Sequence, residues 1–180
     1  MFNGAVKEQK NPEFTARATF WKAESEYVTD DFQNALLSYK QFAGLAEAKK
    51  TDEYKNINYN IGYTYFKLKE YDQAASSFEA QINNSKEDKV RLNDSYLRLG
   101  DCRFVNAKYG PAMEAYAKAI NAKGVDADYA QYQKAISYGF MSKNDKKIDE
   151  LNNFLLMYKK SSYRDDVLYE LANTYVADKK

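Results

Sequence analysis

Four pairs of adjacent carboxylates are the residues of this sequence best suited to act as acids and bases. They are Asp30 with Asp31, Asp52 with Glu53, Glu87 with Asp88, and Asp165 with Asp166. Paired carboxylates can share acid and base roles when they face each other across a cleft. Each pair, however, lies where a helix is predicted to begin, and there a carboxylate caps free N–H groups and complements the helix dipole. We therefore interpret the pairs as caps, with Asp30 and Gln33 capping one helix, and predict no catalytic residue.

Other residues that support chemistry are sparse. The chain has no histidine, the commonest general base and metal ligand, and its single cysteine, Cys102, lies in a predicted helix. We expect Cys102 to pack as a small apolar side chain, with a reactive thiol as the alternative. The glycines have neither G-x-G-x-x-G nor P-loop spacing. The sequence thus predicts no cofactor, no metal and no enzyme, unless a catalytic domain lies elsewhere in a longer parent chain.

Composition favours helices and limits the kinds of partner. Two prolines and seven glycines in 180 residues leave few helix breakers. Lysine and arginine number 27 against 26 aspartate and glutamate, so the net field is too weak to attract nucleic acid or an anionic membrane. No apolar run approaches the roughly 18 residues that suggest a membrane-spanning helix. We therefore expect neither nucleic-acid binding nor membrane insertion by this segment.

A spacing of small and bulky residues recurs along the chain. Gly62 is followed after nine, twelve and sixteen residues by Tyr71, Ala74 and Phe78. The same spacing begins at Ala23 (Phe32, Ala35, Tyr39), at Gly100 (Tyr109, Ala112, Tyr116) and, more weakly, at Ala135, where only Leu151 stays apolar. The pattern predicts pairs of antiparallel helices in which small residues permit close approach and the bulky side chain fills the gap toward the next pair.

This pattern resembles the tetratricopeptide repeat. The match is carried by Ile61-Gly62-x-x-Tyr65 with Ala74-x-x-x-Phe78, and by Leu99-Gly100 with Ala112-x-x-x-Tyr116. The resemblance implies an all-α, right-handed solenoid of antiparallel helix pairs, with about four full repeats and a partial unit at each end. It predicts a single domain over residues 1–180, with units at 12–50, 51–87, 88–124 and 125–160, partial units at 1–10 and 161–180, and a basic loop at 48–51.

The closing residues predict a longer parent protein. The stretch 158–175 is similar to the opening of units in tetratricopeptide domains of bacterial envelope assembly lipoproteins and Tol-associated periplasmic proteins. This similarity favours the periplasm or envelope of a bacterium. Leu168, Leu171 and Ala172 are expected to face a missing helix, as in a fragment of a longer array or in a chain covered by another copy.

The resemblance also implies a concave groove along the first helices. Its inward positions lie three residues before and one, four and five residues after each small residue. Carried onto this sequence, they include Glu24 and the ten predicted groove residues Phe20, Tyr27, Tyr59, Tyr63, Phe66, Leu97, Phe104, Tyr132, Phe140 and Tyr169. Such rings suit an extended or helical partner segment. As an alternative, the rings pack between adjacent first helices.

The sequence therefore predicts a non-enzymatic scaffold that binds a protein or peptide segment. Some relatives hold acidic peptide C-termini with cationic and amide side chains, but here Phe20, Tyr59 and Leu97 occupy comparable positions, so that ligand is not expected. The first alternative is a self-assembly or spacer module that forms homo-oligomers through uncapped terminal helices. RNA binding, known for helical repeats, is a further alternative that the near-zero net charge disfavours.

Overall fold

The computed structural model describes residues 12–84 and 87–178. These residues form nine α-helices, two short 3₁₀ helices and no strand. The helices are α1 (Pro12–Val28), α2 (Phe32–Gly44), α3 (Ile57–Lys67), α4 (Tyr71–Asn84), α5 (Lys89–Val105), α6 (Tyr109–Asn121), α7 (Ala127–Phe140), α8 (Asn144–Met157) and α9 (Arg164–Asp178), with the 3₁₀ helices Glu47–Lys50 and Asp52–Asn56 between α2 and α3. The predicted partial unit at 1–10 lies outside the described residues.

The chain divides into two compact units, Met1–Ser95 and Tyr96–Lys180. In the first unit α1 packs on α2, α2 on α3, and α3 on α4. In the second, α6 packs on α7, α7 on α8, and α8 on α9. Helices that follow each other through tight turns and pack along their length are antiparallel. Each unit is therefore built of consecutive antiparallel helices.

The turn inside each helix pair has the same backbone conformation. Seven residues after each small residue, φ is positive: 60° at Asp30, 61° at Lys69, 56° at Ala107 and 57° at Ser142. The N–H of the next residue bonds a carbonyl five residues back, as Lys108 does to Arg103 at 2.8 Å. This is the Schellman end of a helix. The four pairs thus share one turn geometry, although none of the four turns uses glycine.

Close approach within a pair depends on the small residues. A Cβ added to Gly62 would lie 2.9 Å from the ring of Phe78, and one added to Gly100 would lie 2.5 Å from the ring of Tyr116. Both rings are fully buried. The predicted close approach is confirmed. The rings lie against the small residue of their own pair, and Tyr116 also belongs to a core cluster with Ala130 of the next pair.

The segment between α2 and α3 also differs from the prediction. Residues Glu47–Lys50 form a 3₁₀ helix, and Ala48 is fully buried in the core of the first unit. The sequence predicted a basic loop there because Lys49 and Lys50 dominate its composition. One apolar side chain suffices to anchor the segment while the two lysines remain exposed. The helix that follows, α3, begins only at Ile57.

Candidate functional site

The carboxylate pairs lie at helix ends. Asp31 precedes α2 and accepts the N–H of Asn34, and Asp88 precedes α5 and accepts the N–H of Arg91 at 3.0 Å. The bond from Arg91 also lowers the pKa of Asp88. Capping is confirmed at these two positions. In the first pair, however, the cap is Asp31, because Asp30 adopts the left-handed conformation that ends α1.

The remaining candidates for chemistry are also structural in character. Cys102 is fully buried in α5, as predicted for a small apolar side chain. Across residues 12–84 and 87–178, no three histidine, cysteine or carboxylate side chains are grouped so that they could hold a metal ion. None of the helices in that part of the chain has the length and apolar character needed to cross a membrane.

The ten predicted groove residues differ widely in exposure. Phe20 and Leu97 are 7% and 1% exposed and belong to the cores of their units, so they leave little surface for a partner. Phe140 and Tyr169 are 58% and 67% exposed. The other six are partly buried, namely Tyr27, Tyr59, Tyr63, Phe66, Phe104 and Tyr132. Eight of the ten therefore keep some accessible surface.

Three of these rings make a repeated contact across the turn of their own pair. The ring four residues after the small residue meets the ring nine residues after it, edge to face. The centroids are 5.3 Å apart for Tyr27 and Phe32, and 5.4 Å apart both for Phe66 and Tyr71 and for Phe104 and Tyr109. Such pairs add about 0.5–1.5 kcal/mol beyond burial. These rings are part of the fold as well as candidates for binding. The sequence pattern did not predict their contact with the ring nine residues after the small residue.

In the first unit, an open cavity of about 230 Å³ lies between α1 and α3, the first helices of consecutive pairs. We call it the tyrosine pocket; it is lined by Glu24, Tyr27, Tyr39, Tyr59, Asn60 and Tyr63. Four of these six residues stand at predicted inward positions. Tyr39 and Asn60 do not: Tyr39 is a core ring whose hydroxyl reaches the pocket wall, and Asn60 lies two residues before Gly62.

Hydrogen bonds hold the walls of the tyrosine pocket. Oε1 of Glu24 accepts the hydroxyl of Tyr39 and the amide Nδ2 of Asn60, both at 2.5 Å. The hydroxyls of Tyr59 and Tyr63 donate to Oδ2 of Asp94 at 2.9 and 2.5 Å, with their ring centroids 4.8 Å apart.

The hydroxyls of Tyr39 and Tyr59 in this pocket stay protonated at neutral pH. Burial, followed by the charge of Asp94, raises the pKa of Tyr59 to about 12. Burial and the hydrogen bond to Glu24 likewise raise the pKa of Tyr39. Both side chains therefore act as neutral hydrogen-bond donors, Tyr39 to Glu24 and Tyr59 to Asp94.

The second unit has its own open cavity, of about 440 Å³, which we call the α9 pocket. Its walls include Tyr132, Ile136 and Phe140 on α7 and Asn173 and Ala177 on α9, all at predicted inward positions. An ion pair between Lys147 and Glu170, 2.6 Å apart, closes one side. In this unit Phe140 stacks on Tyr109 with centroids 4.9 Å apart, so its exposed ring is held in place.

Comparison with known proteins identifies the repeat to which one part of the chain is similar. Residues 56–88 match the family model described as tetratricopeptide repeat. The chain contains a tetratricopeptide repeat. Among curated proteins no match was found. Proteins of the tetratricopeptide family are generally non-catalytic scaffolds that bind other proteins, and the residues matched include Tyr59, Asn60 and Tyr63 of the tyrosine pocket.

Solved structures with the tetratricopeptide fold extend this result along the chain. The MamA RS-1 ArsTM double mutant is 14% identical, with 92% of this chain and 85% of that chain covered and a TM-score of 0.73. YrrB, a TPR protein with an unusual peptide-binding site, is 18% identical, with 98% and 83% covered and a TM-score of 0.73. The nearly identical TPR-like repeats of a putative kinesin light chain from Podosopora anserina are 15% identical, with 94% and 89% covered and a TM-score of 0.69. At these identities the likeness shows the fold, and the predicted class, an all-α solenoid of tetratricopeptide helix pairs, is confirmed.

Proposed function

We propose that the protein is a non-enzymatic scaffold that binds an extended or helical segment of a protein partner on the first helices of its repeats. One observation carries the proposal: in each unit, residues at predicted inward positions of neighbouring first helices line an open cavity. In the first unit these residues include Tyr27 and Tyr63, and in the second they include Tyr132 and Phe140. Partly exposed rings held by fixed contacts can bind a partner at low entropic cost.

The chemistry of the two pockets supports a protein ligand over other classes. Apolar ring faces combined with hydroxyl and amide groups suit a peptide, which carries both apolar side chains and backbone donors and acceptors. The balance of 27 cations against 26 carboxylates argues against a nucleic-acid partner. YrrB, which shares the fold, has an unusual peptide-binding site. We accordingly propose a peptide ligand, with no cofactor and no membrane insertion by this segment.

Selection from a random peptide library displayed on phage tests this function. We expect the protein to enrich a family of peptides, and we expect Tyr63→Ala or Phe140→Ala to weaken their binding by about 1–2 kcal/mol, the range for removing an aromatic contact residue. Binding is measured by fluorescence anisotropy with a labelled peptide, and the fold of each variant by circular dichroism.

Leu37→Ala and Val125→Ala are the matched controls, because these side chains are exposed but line neither pocket. They should leave the affinity unchanged. The proposal is contradicted when no peptide is enriched, or when the controls weaken binding as much as the pocket variants do.

The self-assembly or spacer role is a second candidate, favoured by one face of α9. Leu168, Tyr169, Tyr175 and Val176 are all about half exposed or more, and Ala172 between them is exposed as well. An apolar helix face of this kind can pack on another copy of the chain. In this alternative the protein stacks within a larger complex, with the bacterial envelope proposed as its location from the similarity of its closing residues.

A further inference from the structure

In two of the repeats, the residue that follows the small residue is a carboxylate that accepts a hydrogen bond from a buried tyrosine. Glu24 follows Ala23 and accepts the hydroxyl of Tyr39, the buried ring fifteen residues later. Asp101 follows Gly100 and accepts the hydroxyl of Tyr116 at 2.9 Å, again fifteen residues later. In the other two repeats the carboxylate is replaced by Tyr63 or Ile136, and the buried residue, Phe78 or Leu151, has no hydroxyl. The carboxylate and the tyrosine therefore occur together.

Asp101 shows how this carboxylate is satisfied when all its partners come from the chain. Its Oδ1 accepts Tyr116 and Tyr129, the latter at 3.0 Å. Its Oδ2 accepts the guanidinium of Arg98 at 2.7 Å. Both oxygens are bonded and the charge is neutralised by an arginine, as a nearly buried carboxylate requires.

Glu24 accepts a tyrosine hydroxyl as Asp101 does, but it has no counterpart of Arg98. Only Oε1 is bonded, to Tyr39 and Asn60, and no lysine or arginine of the described residues pairs with this carboxylate. The place of Arg98, two residues before the small residue, is taken by Trp21, whose indole carries no charge. Glu24 instead borders the open tyrosine pocket. A partly buried carboxylate thus borders an open cavity with one oxygen, Oε2, that accepts no hydrogen bond from the residues that the structure describes.

The rest of that cavity suits a cation. The rings of Tyr27, Tyr59 and Tyr63 line it, and aromatic rings attract guanidinium and ammonium groups through the ring quadrupole. Tyr59 already makes such a contact within the chain, because the guanidinium carbon of Arg91 lies 5.8 Å from its ring centroid. A guanidinium stacks on such rings and offers several donors at once to a carboxylate and hydroxyls. The volume of about 230 Å³ lies below the roughly 300 Å³ at which pockets for drug-sized molecules begin, and it suits a single side chain.

We propose that the tyrosine pocket binds an arginine side chain of the partner, whose guanidinium pairs with Glu24 and packs against Tyr27, Tyr59 and Tyr63. The bound arginine supplies the charge that Arg98 supplies to Asp101. This inference rests on the proposed function, because it assigns one recognition element of the segment that the first helices bind.

Nuclear magnetic resonance titration with N-acetyl-arginine amide tests the proposal on the full chain. We expect saturable shifts of the ring signals of Tyr27, Tyr59 and Tyr63, and binding at least about tenfold weaker for the citrulline analogue, which keeps the shape but loses the charge. Equal binding of the two probes overturns the proposal. Tighter binding of N-acetyl-lysine amide also overturns it, since the occupant is then lysine.

Glu24→Gln is the informative variant, because its amide oxygen still accepts the hydroxyl of Tyr39. It should weaken binding of the arginine probe by at least about tenfold. Glu26→Gln removes the same charge from the same helix outside the pocket and should bind as the wild type does. If Glu24→Gln fails to fold, Tyr27→Leu replaces it, with the same expected loss. Wild-type binding by a folded Glu24→Gln or Tyr27→Leu protein refutes the pairing.

The two proposals can fail separately. Library peptides that lack arginine but lose binding in Tyr63→Ala would uphold the scaffold function and overturn the arginine pocket. Specific binding of the arginine probe without enrichment of any peptide would uphold the pocket chemistry and overturn the scaffold function.

Discussion

Glycine at the centre of a helix is costly by itself, by about 1 kcal/mol relative to alanine. Gly100 lies in the middle of α5 nonetheless, and the reason is the ring of Tyr116 lying where its Cβ would stand. Gly62 has the same relation to Phe78. At these positions the gain from packing a fully buried ring on the backbone exceeds the loss of helix propensity. Alanine takes this place at Ala23 and Ala135, where it is fully buried.

Gly100→Ala should therefore destabilise the protein although it improves helix propensity. The new methyl group would displace Tyr116, which is fully buried and has little room to move, so overpacking of about 1–3 kcal/mol outweighs the propensity gain of about 1 kcal/mol. Urea unfolding followed by circular dichroism measures the difference. Gly110→Ala is the matched control, since nothing lies within 4 Å of the added methyl group, and it should be neutral or stabilising.

At the scale of elements, helix ends decide how each pair folds back on itself. The four Schellman turns place their left-handed residue at the same register, which is occupied by Asp30, Lys69, Ala107 and Ser142. An L-residue in this conformation is strained by about 1–2 kcal/mol. Alanine has no polar side chain that could compensate through a local hydrogen bond, so Ala107 is the least suited of the four.

Ala107→Gly should accordingly stabilise the protein by about 0.5–1 kcal/mol, the relief of strain less the extra entropy of the unfolded glycine. The measurement is the urea midpoint or the thermal transition of the purified chain. Ala122→Gly is the control: its φ is −73°, an ordinary helical value, so glycine relieves no strain there and should destabilise. A loss of stability in Ala107→Gly equal to that in Ala122→Gly would contradict the assignment of strain.

The register of α9 was predicted only in part. Leu168 and Ala172 are exposed as expected, but Leu171 is buried in the core of the second unit with Val167 and Leu151. The sequence placed all three residues of α9 on one uncovered face. Leu171 falls with Val167 on the side of α9 that packs against Leu151 and Phe154 of α8, whereas Leu168, Ala172 and Val176 lie on the adjoining exposed side.

At the scale of the whole molecule, the exposed face of α9 bears on the oligomeric state. If the self-assembly role is correct, the mass measured by sedimentation or light scattering should rise with protein concentration, and Leu168→Lys should reverse the rise by placing a charge on this apolar face. Val125→Lys adds the same charge at another exposed position and should have no effect. A constant monomer mass over the whole concentration range would contradict self-assembly.

The helix pairs and the small-residue contacts were determined by the sequence alone. They depend on residues nine to sixteen positions apart, and such local spacings survive the variation between repeats. The resemblance to the tetratricopeptide repeat, counted from the same small residues, also gave inward positions to Tyr27, Tyr63, Tyr132 and Phe140, which line the two pockets.

Only the tertiary structure decided which of these side chains remain accessible. Leu97, Tyr59 and Tyr169 share one register, yet Leu97 is 1% exposed, Tyr59 is partly buried and Tyr169 is 67% exposed. The tertiary structure likewise distinguished Glu24, which borders a cavity and pairs with no cation of the described residues, from Asp101, which is paired with Arg98. Register sets the direction of a side chain, whereas burial and charge pairing depend on neighbours contributed by other helices, far away in the sequence.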